Sequence, residues 1–157
     1  MKTKLKTLII ICLLSTIGYS CKKGGSTPDP VIPDTTKPTI SIAKPTAGQA
    51  FAPGNTITFQ ATFKDNEKLG SYEIAVTKVV TAGMSLKNVP VFESWGYTKA
   101  STSFSAGVKQ ADINLDISIP LLNANSTAIT PGDYNFKITC VDTSNNSVSN
   151  ILVIKLI

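Results

Sequence analysis

The chain has 157 residues, with fifteen lysines, ten acidic residues and neither arginine nor histidine. This length suits one domain of ordinary size with a short extension. The missing histidine excludes Ser-His-Asp catalysis, Cys-His catalysis and histidine-bound metals, and the missing arginine argues against nucleic acid as a partner.

The first twenty residues have the pattern of an export signal. Three lysines precede an apolar run from residue 8 to residue 17, and small residues then lead to Cys21. The apolar run has about half of the ~20 residues that a membrane-spanning helix needs. The segment resembles the signal peptide of a bacterial lipoprotein, in which the peptide is removed before a cysteine that carries lipid.

The resemblance implies that residues 1–20 are cleaved and that Cys21 is lipidated. Acyl chains on Cys21 would hold the protein on a membrane of the bacterial cell envelope, and we expect the outer membrane. Removal of the signal takes three lysines away and leaves a net charge of +2. Residues 21–37 are rich in Pro, Gly, Ser and Thr, which predicts a flexible tether between the lipid and a domain at 38–157.

From residue 38 onward, apolar and polar residues alternate as they do in strands with one buried face. Turn residues separate these runs, and no run has a convincing helical period. Residues 81–105 are less regular, and residues 121–130 predict a crossover loop with room for one helical turn. The predicted strands are residues 39–43, 49–52, 56–64, 69–80, 111–119, 134–141 and 148–156.

About seven short strands at this spacing predict an all-β fold, an immunoglobulin-like antiparallel β-sandwich. Residues 131–134 (Pro-Gly-Asp-Tyr) predict a tyrosine corner, in which a buried ring bonds to upstream backbone through its hydroxyl. Residues 151–154 are apolar on both faces, so this strand is either covered on both sides or an exposed edge. Cys140 lies in an alternating apolar run, which favours a buried thiol over a catalytic one.

Several motifs together make the chain similar to a known type of protein. They are residues 38–42, 53–57, 65–72 and 131–134, with Asp142 after the last of them. On these motifs the chain resembles single-domain Ig-like, cadherin-like lipoproteins of unknown function from Bacteroidetes-type bacteria. The resemblance covers residues 37–157 and implies the fold without implying an activity.

Two loops that we expect at the same end of the sandwich carry oxygen ligands. Asp65, Asn66 and Glu67 lie in one loop, and Asp142 opens the other. Ca²⁺ takes six to eight oxygen ligands at about 2.3–2.6 Å, so calcium is the one cofactor that these residues could hold. Neither loop has a run of three acidic residues, so the sequence favours the alternative, in which these residues cap their own turns and hold no cofactor.

A second candidate site is aromatic. Phe92, Trp95 and Tyr97 lie near Phe104 in the irregular segment, beside small polar residues. Exposed rings in this setting can stack on sugars, as in carbohydrate-binding modules. The alternative is that the rings pack over an open edge of the sandwich, and the exposure of Trp95 distinguishes the two.

The sequence therefore predicts a lipid-anchored, monomeric, non-catalytic Ig-like module that binds an unidentified envelope or extracellular ligand. Carbohydrate is the first candidate and an envelope protein the next. The alternative is a structural or adhesive module, with or without a stabilising calcium ion, that has no small ligand. An enzyme is least favoured: Asp112 and Asp116 have the carboxylate spacing of glycoside hydrolases, but a solvated sheet face gives the same pattern.

Overall fold

Eight strands make up the described part of the chain, residues 32–80 and 94–157 of a computed structural model. Cys21 and the signal peptide lie outside the described residues, as do the tether up to residue 31 and the segment 81–93 with Phe92. Residues 33–157 form one compact unit. The strands are β1 (Thr39–Lys44), β2 (Ala50–Phe51), β3 (Thr56–Lys64), β4 (Leu69–Lys78), β5 (Tyr97–Ser103), β6 (Gln110–Ser118), β7 (Gly132–Asp142) and β8 (Ser147–Leu156).

The strands form two sheets, with the order β1-β3-β6 in one and β2-β8-β7-β4-β5 in the other. All neighbours are antiparallel except β2 and β8, which are parallel where Ala50 and Phe51 pair with Lys155 and Leu156. The prediction of an all-β, Ig-like sandwich is confirmed. Within 32–80 and 94–157 there is no helix of the length and hydrophobicity required to cross a membrane.

The alternation of β3 and β7 builds the core between the sheets. Phe59 and Phe63 point inward from β3, and Phe59 stacks on Phe136 of β7 with ring centroids 5.7 Å apart. Each such side chain contributes about 1.5–3 kcal/mol when it leaves water. The largest fully buried side chains are Tyr134, Phe59, Phe63, Phe136, Ile57, Ile74, Ile117, Ile119, Ile138, Ile154, Leu156 and Val76.

The predicted tyrosine corner is present. Tyr134 is fully buried, and its hydroxyl donates a 2.7 Å hydrogen bond to the carbonyl oxygen of Thr130. Burial raises the pKa of this phenol. The ammonium group of Lys78 lies 4.9 Å from the ring centroid and donates to the carbonyl oxygen of Pro131. The corner thus anchors the start of β7.

Three local expectations differ from the structure. The fourth strand ends at Lys78 rather than at residue 80, and β5 forms within the segment that was expected to be irregular. Because β5 is a polar edge strand, its sequence lacks a clear apolar alternation. The loop at 121–130 contains no helical turn, and an antiparallel bridge joins Leu122 to Ala128.

The outer face of β8 is not covered along its length. Ile151 and Val153 are 60% and 39% exposed, whereas Ile154 and Leu156 lie in the core. Of the two expectations for this apolar strand, the structure corresponds to the exposed one. β2 pairs only with the last part of β8. Most of β8 therefore lies near the edge of its sheet.

Candidate cation site

Antiparallel pairing brings three chain segments together at one end of the sandwich. Because Thr39 pairs with Lys64, the residues before β1 run beside the loop after β3. Because Leu69 pairs with Asp142, the same loop also lies beside the turn between β7 and β8. Each of these segments places one aspartate at their meeting point.

The three aspartates are Asp34, Asp65 and Asp142, which we call the acidic cluster. One carboxylate oxygen from each residue lies within 4.8 Å of an oxygen from each of the others. Asp142 is only 3% exposed, and the other two are partly buried. Among residues 32–80 and 94–157, no lysine lies within ion-pair distance of the cluster.

Asp65 uses one carboxylate oxygen to shape its own loop. Its Oδ2 accepts hydrogen bonds from the backbone N–H groups of Glu67 at 2.9 Å and Lys68 at 2.8 Å. This is the turn-capping role that aspartate often has in loops. The second oxygen, Oδ1, is therefore free to point elsewhere.

Asp142 shapes the turn between β7 and β8 in a similar way. Its Oδ1 accepts from the backbone N–H groups of Ser144 and Asn146, both at 2.8 Å. Its Oδ2 accepts from the side-chain amide of Asn146 at 2.7 Å. Hydrogen bonds to an ionised carboxylate are among the stronger ones in proteins, so this turn is well defined.

Asp34 is held by both of the loops that it approaches. Its Oδ1 accepts from the backbone N–H of Thr36 at 2.9 Å and from the side-chain amide of Asn66 at 3.0 Å. Its backbone carbonyl accepts from the side-chain amide of Asn146 at 3.0 Å. The bond from Asn66 is the main reason that the pKa of Asp34 lies below its ordinary value. These contacts favour the charged form of this carboxylate.

Two oxygens of the acidic cluster have no protein partner. Asp34 Oδ2 and Asp65 Oδ1 are both buried from solvent and accept no hydrogen bond. Buried polar atoms are almost always paired, and an unpaired one on a charged group is especially costly. Three carboxylates also repel one another at this spacing, and a cation bound between them would offset this repulsion.

The donor set fits a hard divalent cation. Carboxylate oxygens suit Ca²⁺ and Mg²⁺, whereas zinc and copper prefer imidazole or thiolate ligands. The nearby thiol of Cys140 is fully buried, and its pKa is raised to about 12, first by burial and then by the charges of Asp65 and Asp142. Among the described residues, only the three aspartates converge on this point, so Cys140 does not belong to the ligand set.

A family comparison places nearly the whole chain in one family. Residues 19–157 match the sequence profile of DUF4625, described as a domain of unknown function. The chain belongs to the DUF4625 family. No curated protein matches it.

Several solved structures are similar to this DUF4625 chain at low identity. The fibronectin(III)-like modules of Clostridium thermocellum CbhA are 17% identical with a TM-score of 0.42, over 76% of this chain and 46% of that one. A β-glucosidase from Listeria innocua is 11% identical with a TM-score of 0.46, over 76% and 16%. OgpA from Akkermansia muciniphila is 10% identical with a TM-score of 0.45, over 76% and 29%. The chain thus spans less than half the length of each of these proteins.

The four residues that the sequence predicts as metal ligands have different roles in the structure of this DUF4625 domain. Asp65 and Asp142 come together as expected from their loops. Asn66 instead orients Asp34, and Glu67 is exposed and takes part only through its backbone N–H. Asp34 was assigned to the tether and so was missed. One signal could have revealed Asp34. If the first predicted strand pairs in antiparallel fashion with residues 56–64, the residues before β1 lie beside Asp65.

The predicted aromatic site does not present its tryptophan to solvent. Trp95 is 7% exposed and packs against Tyr134, with ring centroids 6.2 Å apart. Phe104 packs on Phe63 and Tyr72 at 5.3 and 5.2 Å. Trp95 therefore corresponds to the packing alternative and does not form a stacking platform. Tyr97 is partly buried, and Phe92 lies outside the described residues.

The carboxylates of β6 are engaged in cross-strand hydrogen bonds. Thr62 Oγ1 donates to Asp112 at 2.6 Å, and Thr58 Oγ1 donates to Asp116 at 2.9 Å. All four groups lie on the solvent face of the three-stranded sheet. Such pairs are what a half-solvated antiparallel sheet uses on its outer face.

Proposed function

We propose that this protein is a non-catalytic, calcium-binding Ig-like module with a structural or adhesive role, anchored to a bacterial envelope membrane through Cys21. The observation that carries the calcium assignment is the pair of buried, unpartnered oxygens on Asp34 and Asp65, which lie in a cluster with Asp142. A bound cation satisfies both oxygens and offsets the repulsion of three carboxylates at once.

Calcium fits this site better than magnesium does. Three aspartates on three different segments give an irregular ligand set, and Ca²⁺ accepts irregular coordination of six to eight oxygens. Mg²⁺ demands near-ideal octahedral geometry and gives up its water reluctantly. Water completes the shell around calcium, and a partly hydrated site of this kind binds with a Kd of about 0.1–1 mM, as extracellular modules do.

The burial of Trp95 supports the structural or adhesive role over sugar capture. A stacking platform needs an exposed ring face, and Trp95 is 7% exposed. The carbohydrate site expected from the sequence thus lacks an exposed Trp95, which was its central residue. Binding of an envelope protein through another surface is compatible with the proposal, as is a monomeric state in solution.

Calcium binding is tested by isothermal titration of the full-length protein in detergent. We expect one Ca²⁺ per chain and weaker binding of Mg²⁺. Asp65→Asn keeps the oxygen that accepts from Glu67 and Lys68 but removes the ligand charge, so it should abolish binding. Glu67→Gln is the matched control, because it removes a nearby charge that lies outside the cluster. Absence of Ca²⁺ binding at 10 mM, or equal loss in both variants, would refute the proposal.

The membrane anchor is tested separately by cell fractionation and lipid labelling. We expect the wild-type protein to incorporate a radiolabelled fatty acid and to sediment with membranes. Cys21→Ser should lose both properties, whereas Cys140→Ser should keep them because that thiol lies in the core. Equal labelling of the wild type and Cys21→Ser would exclude Cys21 as the anchor.

A further inference from the structure

Asp34 differs from the other members of the acidic cluster in its place along the chain. Asp65 and Asp142 flank strands of the sandwich, but Asp34 precedes β1, on the side of the chain that leads back to the tether. We infer that the cation fastens residues 33–37, which we call the strap, to the end of the sandwich and thereby sets the length of the free tether. This inference rests on the cation site proposed above.

The strap has little else to hold it in place. Pro33, Thr35, Thr36 and Lys37 are all exposed, and the first buried residue after them is Pro38. The described contacts of the strap with the loops are those of Asp34 with the side-chain amides of Asn66 and Asn146. Hydrogen bonds at a partly exposed site give only a small net contribution, because water offers the same bonds to the released strap.

Charge makes the docking of the strap depend on a cation. When Asp34 docks, its carboxylate comes within 4.8 Å of those of Asp65 and Asp142. Without a cation, this third negative charge opposes docking. With a cation, the same carboxylate becomes a ligand and favours docking. The contribution of the Asp34 carboxylate to docking therefore changes from unfavourable to favourable when a cation binds.

The two states differ in how the domain is attached. With the strap docked, the predicted tether from Cys21 ends at Pro33. With the strap released, the free chain continues to Pro38, which is buried in the domain. Five more free residues add up to about 16 Å of extended chain, at roughly 3.3 Å each. The cation thus shortens the predicted tether by the length of the strap.

Hydrogen exchange of the full-length protein in detergent tests this coupling, read by mass spectrometry from peptides that cover residues 33–38. We expect the amide of Thr36, which donates to Asp34 Oδ1, to exchange slowly in Ca²⁺ and fast in a chelator. If the cation binds only the docked form, protection should rise by about 100-fold at a calcium concentration of 100 times the Kd. Peptides from β3 and β7 should change much less and serve as internal references.

Two variants make the result specific to Asp34. Asp34→Asn keeps the Oδ1 acceptor for Thr36 and Asn66 but removes the charge, so residues 33–38 should exchange rapidly in Ca²⁺. This variant should bind Ca²⁺ about 100-fold more weakly or worse, because the coupling between docking and binding is the same in both directions. Glu67→Gln should behave as the wild type does.

The outcomes separate this inference from the proposed function. If the wild type binds Ca²⁺ but residues 33–38 exchange at the same rate with and without it, the strap inference is wrong and the calcium site stands. If the wild type does not bind Ca²⁺, both are wrong. If Asp34→Asn keeps full protection in Ca²⁺, Asp34 does not fasten the strap and the inference also fails.

Discussion

Gly70 lies directly against the backbone of Asp142. A Cβ atom built on Gly70 would stand 2.6 Å from the carbonyl oxygen of Asp142 and 2.8 Å from that of Val141. The contact falls where the pairing of β4 with β7 shifts register, between Leu69 and Ser71. A residue without a side chain therefore lets the loop of Asp65 approach the strand end that carries Asp142.

We predict that Gly70→Ala destabilises the domain and weakens its calcium site together. The methyl group must push two backbone carbonyls away, and overpacking of this kind costs about 1–3 kcal/mol. Gly96→Ala is the matched control, because its Cβ would meet only the carbonyl oxygen of Val76 at 3.7 Å. Urea unfolding measures the stability and calorimetry measures the affinity. Equal effects of the two substitutions would contradict the prediction.

Asp65→Asn should change stability in opposite directions with and without calcium. In a chelator the variant removes one of three mutually repelling carboxylates, so its free energy of unfolding should exceed that of the wild type by on the order of 1 kcal/mol. In saturating Ca²⁺ the wild type gains stability and the variant does not. Thermal unfolding under both conditions tests this crossing. An Asp65→Asn protein that is less stable in chelator would show that the carboxylates do not repel as we argue.

Asp142→Asn should be harmful under either condition, unlike Asp65→Asn. Both oxygens of Asp142 accept hydrogen bonds, and its Oδ2 accepts from the side-chain amide of Asn146. An asparagine would face that amide with a second donor in a site that is 3% exposed. We expect a loss of about 1–3 kcal/mol in urea unfolding, as for other buried polar groups left unpaired. A variant as stable as the wild type in chelator would contradict this assignment.

Sequence periodicity was enough to predict the sandwich because β3, β6 and β7 each have one apolar face. The same reasoning missed β5, because this strand is the last one in its sheet among the described residues and its polar side chains need no alternation. For the cation site, the arrangement of the strands explains why two of the three aspartates could be predicted and the third could not. The positions of Asp65 and Asp142 follow from the loops of an Ig-like fold, whereas that of Asp34 depends on the register between β1 and β3, which composition does not reveal.

Trp95 is the single tryptophan of the chain, so fluorescence reports directly on its environment. Because it is 7% exposed and packs on Tyr134, we expect blue-shifted emission that acrylamide quenches poorly. Unfolding in urea should shift the emission to the red and restore quenching. Red-shifted, readily quenched emission from the folded protein would place the ring at the surface and revive the sugar-stacking alternative.

The ionisation of Asp34 should control the strap in acid. Its pKa is lowered chiefly by the hydrogen bond from Asn66, and a cation bound to the cluster favours the charged carboxylate in the same direction. A group with a lowered pKa in the folded state stabilises that state fully above its ordinary pKa of 3.8, and this contribution is lost as the pH falls below it.

In saturating Ca²⁺, we therefore expect the Asp34 carboxyl to titrate below 3.8 in carbon-detected NMR, with hydrogen exchange of the strap becoming faster across the same range. Asn66→Ala removes the main donor to Asp34, so it should move the titration of Asp34 back toward 3.8 and weaken the docking of the strap at neutral pH. Asn114→Ala is a suitable control, because Asn114 is an exposed residue of β6 and makes no described contact with Asp34. Titration of Asp34 at or above 3.8 in the wild type would mean that the strap does not dock through its charged form.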